Sequence, residues 1–206
     1  MYCYAIPSMR SLKLIFVLPL LAYLLQGCAS TSPPVELAPQ VGQQRIIELE
    51  LAILALDDDI DRDEAHRAAT IAIEYPLELA QEYEISDSPL MHNFLVNIGV
   101  KPRGLCVDWT YDLLVRLQQE RFRSLGLHWG IANYDSAFRI EHSTVIISAR
   151  DEPLSQGIVL DPWRHSGQLF WAKTLEDPQY QWKPHAEIHA LKRERKALAQ
   201  NRSDTR

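Results

Sequence analysis

Two stretches in the first half of the chain carry apolar residues at helical spacing. The first begins at about Gln43 and is dense in Ile and Leu as far as Leu56. The second runs from Arg62 to Glu82 as a stripe of Ala, Ile and Leu. Pro76 lies within it and predicts a break, because proline lacks the amide hydrogen that continues a helix. The pattern therefore predicts an N-terminal helical region over residues 43–88.

A further pair of helices is predicted downstream. Ser88 before Pro89 is a helix start, and Gly99 ends that helix. After a break at Gly104, a new apolar stripe begins beside Cys106 with steps of four residues. This stripe consists of Leu105, Trp109, Leu113 and Leu117. Cys106 is therefore expected at the start of a helix.

Strand patterns follow the last of these helices. The predicted strands are Leu125–Ala132, His142–Ser148, Gly157–Asp161 and Leu169–Ala172. Helices grouped before strands, rather than alternating with them, predict an α+β fold. The roughly 160 residues from Gln43 onward are enough for one hydrophobic core and too few for two.

The N-terminus reads as an export signal. Arg10 and Lys13 precede an uncharged, mostly apolar stretch over Leu14–Gly27. That stretch is too short to span a membrane, which takes about 20 apolar residues. Residues 1–27 are therefore predicted to be a cleaved signal, with translation starting at either Met1 or Met9.

The end of this signal resembles a bacterial lipobox. The residues are Leu25-Gln26-Gly27-Cys28, and the resemblance implies that Cys28 is lipidated and becomes the first residue of the mature chain. Ala29 stands where an Asp would favour retention in the inner membrane, so the resemblance implies an outer-membrane lipoprotein facing the periplasm of a Gram-negative bacterium. Residues 28–42, rich in proline, then form a flexible tether.

The net charge disfavours nucleic acid as a partner, and the acidic run does not fit a calcium-binding loop. Removing Arg10 and Lys13 from 21 basic residues leaves 19 against 27 acidic ones, a net charge of −8, which disfavours nucleic acid. The acidic run at residues 57–64 lacks an EF-hand pattern, because Arg62 and Ala68 stand where Gly and Glu are required. We expect that run to cap a helix, and we expect neither a metal nor a cofactor. Residues 186–206 are predicted to be a charged tail, either solvated chain or a frayed helix.

Cys106 is the one thiol left after the signal and the anchor are set aside. A lone cysteine in an oxidising compartment has no intrachain disulfide partner, so it is either inert and buried or reactive. The positive end of a helix dipole stabilises a thiolate, and the Gly-Leu-Cys entry into a helix favours the reactive alternative.

Two further residues complete a candidate triad. His142 opens an apolar strand, and His128 on another predicted strand is its rival as a base. Asp161 ends an apolar strand, where a charge is costly unless it is paired, and an imidazole would supply the pairing. The alternative for Asp161 is a turn-forming Asp-Pro.

In this order the three residues resemble the transglutaminase-like superfamily of papain-like fold. The matching segments are Cys106 in RGLCVDWTYDLL, His142 in EHSTVIIS and Asp161 in GIVLDPW, and the resemblance covers roughly Ser88 to Trp171. It implies a helix bearing the nucleophile packed on an antiparallel sheet, with a catalytic core at 89–185. NlpC/P60 endopeptidases share the Cys and His order but place their third polar residue nearer the His.

The resemblance also implies a chemistry. Cys106 would attack a carbonyl, His142 would act as acid and base, and Asp161 would fix the imidazole. The expected enzyme is a cysteine-dependent amide hydrolase, peptidase or acyltransferase acting on a peptide, a protein or a peptidoglycan peptide. The alternative is a catalytically inactive domain that binds a protein or cell-wall peptide. Three tryptophans, Trp109, Trp129 and Trp163, would either wall the cleft or pack in the core.

Overall fold

The computed structural model describes residues 39–204, and within this range the chain is α+β. The helices are α1 (Pro39–Leu54), α2 (Arg62–Glu82), α3 (Pro89–Asn97), α4 (Cys106–Gln118) and α5 (His185–Asp204). The strands are β1 (Leu125–Ala132), β2 (His142–Ala149), β3 (Ile158–Asp161), β4 (Phe170–Lys173) and β5 (Lys183–Pro184). The proposed signal, Cys28 and most of the tether lie outside the described residues. In the described range, no helix combines the length and the apolar character needed to cross a membrane.

The first two helices lie against each other, with one boundary and one internal feature that differ from the prediction. Helix α1 begins at Pro39, inside the segment assigned to the tether, and a proline is tolerated there because the first turn needs no amide hydrogen. Helix α2 starts as expected, since the Asp61 carboxylate accepts the Glu64 amide at 2.9 Å.

The predicted break at Pro76 is wrong, because α2 runs without interruption to Glu82. An internal proline costs about 3 kcal/mol. Residues on both sides of it, such as Ala72 and Leu79, are buried on one continuous face of the helix. Each large apolar side chain contributes about 1.5 to 3 kcal/mol when buried, so burial of the whole face outweighs the lost hydrogen bond.

The sheet is antiparallel, with the strand order β4-β3-β2-β1-β5. Strand β1 has the predicted bounds, and β2, β3 and β4 lie within one residue of theirs. Strand β5 is only two residues long and pairs with Gly130 and Ile131, so its pattern was too short to detect.

The sheet is covered on both faces. Helix α4 packs across β1 and β2, and α2 packs on α4, which places the main core between these helices and one face of the sheet. Alternation along β2 sends Val145 and Ile147 into that core and Ile146 to the opposite face, where Leu154 and Trp182 cover it. The N-terminus of α4 therefore lies beside the first residues of β2.

Candidate active site

The chain that leads into α4 is held tightly before it reaches Cys106. Gly104 has φ = +120°, and a Cβ at this position would lie 2.4 Å from the His92 ring, so only glycine fits. The Trp109 indole donates to the Gly104 carbonyl at 3.0 Å, and the His92 ring contacts the Arg103 carbonyl at 2.9 Å. Trp109 and His92 are buried, so the position of Cys106 is set by the core.

Two polar side chains fix the first turn of α4 against β2. The Asp108 carboxylate accepts the amides of Gly104 and Leu105 at 3.0 Å each. The Thr110 hydroxyl lies 2.8 Å from the Cys106 carbonyl and 3.3 Å from the Ser143 hydroxyl. Because Ser143 follows His142, this bridge holds the nucleophile candidate beside the base candidate.

Cys106 and His142 line the same cavity, of about 280 Å³. Cys106 is half-buried, and its Sγ lies 3.8 Å from the Glu141 carbonyl oxygen. His142 is 2% exposed. Its Nε2 lies 2.7 Å from Asp161, while its buried Nδ1 has no hydrogen-bond partner among the described residues.

The protonation of His142 is set by competing effects. Burial lowers the pKa of His142. The charge and hydrogen bond of Asp161 outweigh burial, Cys106 acts in the same direction, and together they raise this pKa to about 9. The imidazole is therefore a cation at neutral pH.

Asp161 performs both roles that the sequence left open. Its side chain is fully buried, and Oδ2 contacts His142. Its Oδ1 accepts the Arg164 amide at 3.3 Å, which caps the short turn that begins at Pro162. Pairing with the imidazole and forming the Asp-Pro turn are therefore not alternatives in this molecule.

Sequence reasoning missed the other half of this charged cluster. Arg164 donates to Asp161 Oδ2 at 3.0 Å and makes a two-pronged ion pair with Asp177, at 2.8 and 3.1 Å. Asp177 also accepts the Trp182 indole at 2.9 Å, and these bonds lower its pKa although burial opposes them. His142, Asp161, Arg164 and Asp177 therefore form one buried chain of alternating charge.

Aromatic rings surround the imidazole. The ring centroids of Trp163 and Tyr180 each lie 4.7 Å from that of His142, and Trp182 lies 5.4 Å away. Of the three tryptophans proposed for the cleft, only Trp163 lines this cavity. Trp109 is a core residue, and Trp129 packs on His185 at a centroid distance of 4.8 Å. Trp163 and Tyr180 thus pack against the His142 ring and also line the cavity that contains Cys106.

His128, the rival base, lies in a different environment. Its Nε2 contacts the Ser148 hydroxyl at 2.8 Å, and it lines a separate cavity that does not include Cys106. Burial lowers the pKa of His128, so this imidazole is neutral at pH 7. The structure thus brings Cys106 together with His142 and Asp161.

The missed residues carried little sequence signal. Arg164 follows Asp161 by three residues, a spacing that could have suggested a contact. Asp177, Tyr180 and Trp182 lie in an irregular segment whose position depends on long-range packing. Comparisons with protein-family models, with curated proteins and with solved structures found no match.

Proposed function

We propose that the chain is a thiol enzyme of papain-like, transglutaminase-like fold that cleaves or transfers the acyl group of an amide. The observation that carries this proposal is the orientation of His142. Its Nε2 is held by a buried carboxylate, its buried Nδ1 has no hydrogen-bond partner among the described residues, and His142 lines the cavity that also contains Cys106. A buried imidazole held in this way is what nucleophilic thiol chemistry requires.

The reaction follows from these positions. The Cys106 thiolate attacks the carbonyl carbon and forms a carbon–sulfur bond, which produces an oxyanion. His142 gives its Nδ1 proton to the departing nitrogen as the carbon–nitrogen bond breaks, leaving a thioester. Water or an amine then attacks the thioester and returns a proton to His142, and the thiolate is released. Asp161 holds the Nε2 hydrogen throughout.

The oxyanion needs hydrogen-bond donors. The Cys106 amide is one candidate, since amides in the first helical turn have no carbonyl partner within the helix and Asp108 is already bonded to the two amides before it. Asn133 lines the same cavity and gives one amide hydrogen to the Ile140 carbonyl at 3.0 Å. Because a carboxamide has two such hydrogens, Asn133 is the candidate for the second donor.

The lipobox-like residues 25–28 support a location for this activity at the outer membrane. A lipidated Cys28 would anchor the domain to the outer membrane, with the tether holding it in the periplasm. Replacing Cys28 with Ala is expected to abolish palmitate labelling and to release the protein from the membrane fraction. Unchanged labelling would contradict the anchor.

The thiol chemistry is tested by alkylation of Cys106. Iodoacetamide is applied to the full chain near pH 6, and the tryptic peptide 104–116, which contains Cys106 and no other cysteine, is quantified by mass spectrometry. An ordinary thiol, with a pKa of about 8.5, is less than about 1% thiolate at this pH. The folded protein should react at least about 10-fold faster than the same protein in urea, because only its thiolate is paired with an imidazolium. Equal rates, or slower reaction when folded, would show an inert thiol and favour the binding-module alternative.

A further inference from the structure

Exposed apolar side chains converge on the mouth of the Cys106 cavity. Phe138 is 100% exposed, Leu90 is 61% exposed and Ile140 is 58% exposed, and all three line this cavity. Single exposed apolar residues are ordinary on a protein surface. Three at the mouth of one small cavity, which also contains a candidate nucleophile, indicate contact with an apolar part of the substrate.

The apolar surface continues away from the cavity along α3. Leu90, Phe94 and the capping residue Ile98 follow each other at steps of four, and each is more than half exposed. The eight residue steps from Leu90 to Ile98 extend for about 12 Å along the helix, the length of three to four residues of an extended chain. A small amide would fill the cavity and leave this stripe uncovered.

The charged side chains at the mouth are already engaged. Arg139 donates to the Gln179 carbonyl at 2.7 Å and lies over the Tyr180 ring. Glu141 is paired with Lys192. The chain as a whole is acidic, with a net charge of −6, which disfavours a substrate rich in carboxylates.

From these observations we infer that the substrate is an extended polypeptide with apolar side chains beside the scissile amide. This inference rests on the proposed thiol chemistry and selects among its possible substrates. Leu90, Phe138 and Ile140 would contact the side chain nearest the scissile bond, and Phe94 would contact residues further along. Carboxylate-rich cell-wall peptides would be poor substrates.

Chloroacetylated dipeptide amides test this preference. The Cys106 thiolate displaces chloride, so a carbon–sulfur bond forms and chloride leaves, and alkylation is read from peptide 104–116. Rates for Leu-Phe, Gly-Gly and Glu-Glu probes are each divided by the rate for chloroacetamide, which reports thiol reactivity alone. We expect the Leu-Phe ratio to exceed the Gly-Gly ratio by about 10-fold, since two buried apolar side chains contribute at least about 1.4 kcal/mol together. The Glu-Glu ratio should not exceed that of Gly-Gly.

Two matched variants locate the effect. Leu90→Ser should lower the Leu-Phe preference at least about 3-fold. The free energy gained by burying one leucine side chain is larger than the free energy that corresponds to a 3-fold change in rate. Leu198→Ser on α5, at a residue that is 63% exposed, should leave the preference unchanged. Circular dichroism melting checks that both variants fold.

Four results would overturn the inference. Equal ratios for Leu-Phe and Gly-Gly would remove the apolar preference, and a higher ratio for Glu-Glu would assign recognition to Arg139 instead. An unchanged preference in Leu90→Ser would separate it from this surface. A dimer in sedimentation that Leu90→Ser dissociates would show that the apolar surface joins two copies of the chain. In each case the proposed thiol chemistry stands if Cys106 still reacts faster than in urea with iodoacetamide.

Discussion

His128 and His142 lie on paired strands of the same sheet and on the same face of it. Their surroundings nevertheless leave one imidazole neutral and the other cationic at pH 7. His128 contacts a serine hydroxyl, and burial lowers its pKa. His142 is more deeply buried, but its partner is a carboxylate, and its pKa rises to about 9. Strand position therefore does not decide which histidine is a cation, because the charge of the facing residue does.

Removing the carboxylate should have the largest effect on reactivity. In Asp161→Asn the amide oxygen can still accept the Arg164 amide, so the turn is kept while the charge that favours the imidazolium is lost. Alkylation of Cys106 near pH 6 should fall about 100-fold, towards the rate of an unpaired thiol. For turnover of an amide, the serine-protease precedent for this exchange is a loss of about ten-thousand-fold.

An exposed aspartate provides the control for that variant. Asp135 lies on the loop after β1 and is exposed, so Asp135→Asn should leave the alkylation rate unchanged. An Asp161→Asn protein that reacted as fast as the wild type would show that the carboxylate does not activate Cys106 through His142.

Breaking the buried ion pair between Arg164 and Asp177 should lower the free energy of unfolding more than breaking an exposed ion pair. Arg164→Met leaves Asp177 without its cation in a buried site, and such losses cost about 3 to 5 kcal/mol. Lys173→Met removes an exposed pair with Glu176 and should cost less than about 1 kcal/mol. Urea unfolding measures both, and equal costs would mean that the buried network contributes little.

The two histidines should give opposite slopes of stability against pH. The pKa of His142 is raised on folding, so its stabilising contribution is complete below about pH 6.5 and is lost as pH rises towards 9, on the order of 3 kcal/mol in all. The pKa of His128 is lowered on folding. Stability therefore falls as pH drops below about 6.5, because the unfolded chain takes up a proton at His128 while the folded chain does not. Unfolding free energies measured across this range check both signs. A stability that rose between pH 6.5 and 9 would contradict the assignment for His142.

The smallest effect is expected at the rival base. His128→Gln keeps a side chain that can bond to Ser148, so stability should change by less than about 1 kcal/mol and alkylation of Cys106 should not change. A loss of Cys106 reactivity in this variant would mean that the wrong histidine has been assigned to the thiol.

Local patterns in the sequence predict most of the sheet and the start of the helix that carries Cys106. Strands β1 to β3 and the start of α4 were predictable because apolar periodicity and the Gly104 break are local signals. Continuity of α2 through Pro76 was not, since it depends on burial against distant residues. The order of Cys106, His142 and Asp161 indicated the candidate site.

The partners that determine charge were harder to predict. Arg164 and Asp177 are 13 residues apart in the chain with β4 between them, and no periodic pattern relates them. Their bond depends on where the sheet and the aromatic segment around Tyr180 come together. The sequence favours His142 as the base with His128 as its rival, and the three-dimensional contacts separate the two by the charge of their partners.

The most direct test of the account is the protonation state of His142, observed through its two ring nitrogens by NMR of the ¹⁵N-labelled protein. We expect both nitrogens to carry hydrogen between pH 6.5 and the titration midpoint near 9, and we expect Cys106→Ala to lower this midpoint because a thiolate partner is lost. A neutral His142 ring at pH 7.5, with a midpoint that Cys106→Ala does not move, would contradict the ion pair on which the proposed chemistry depends.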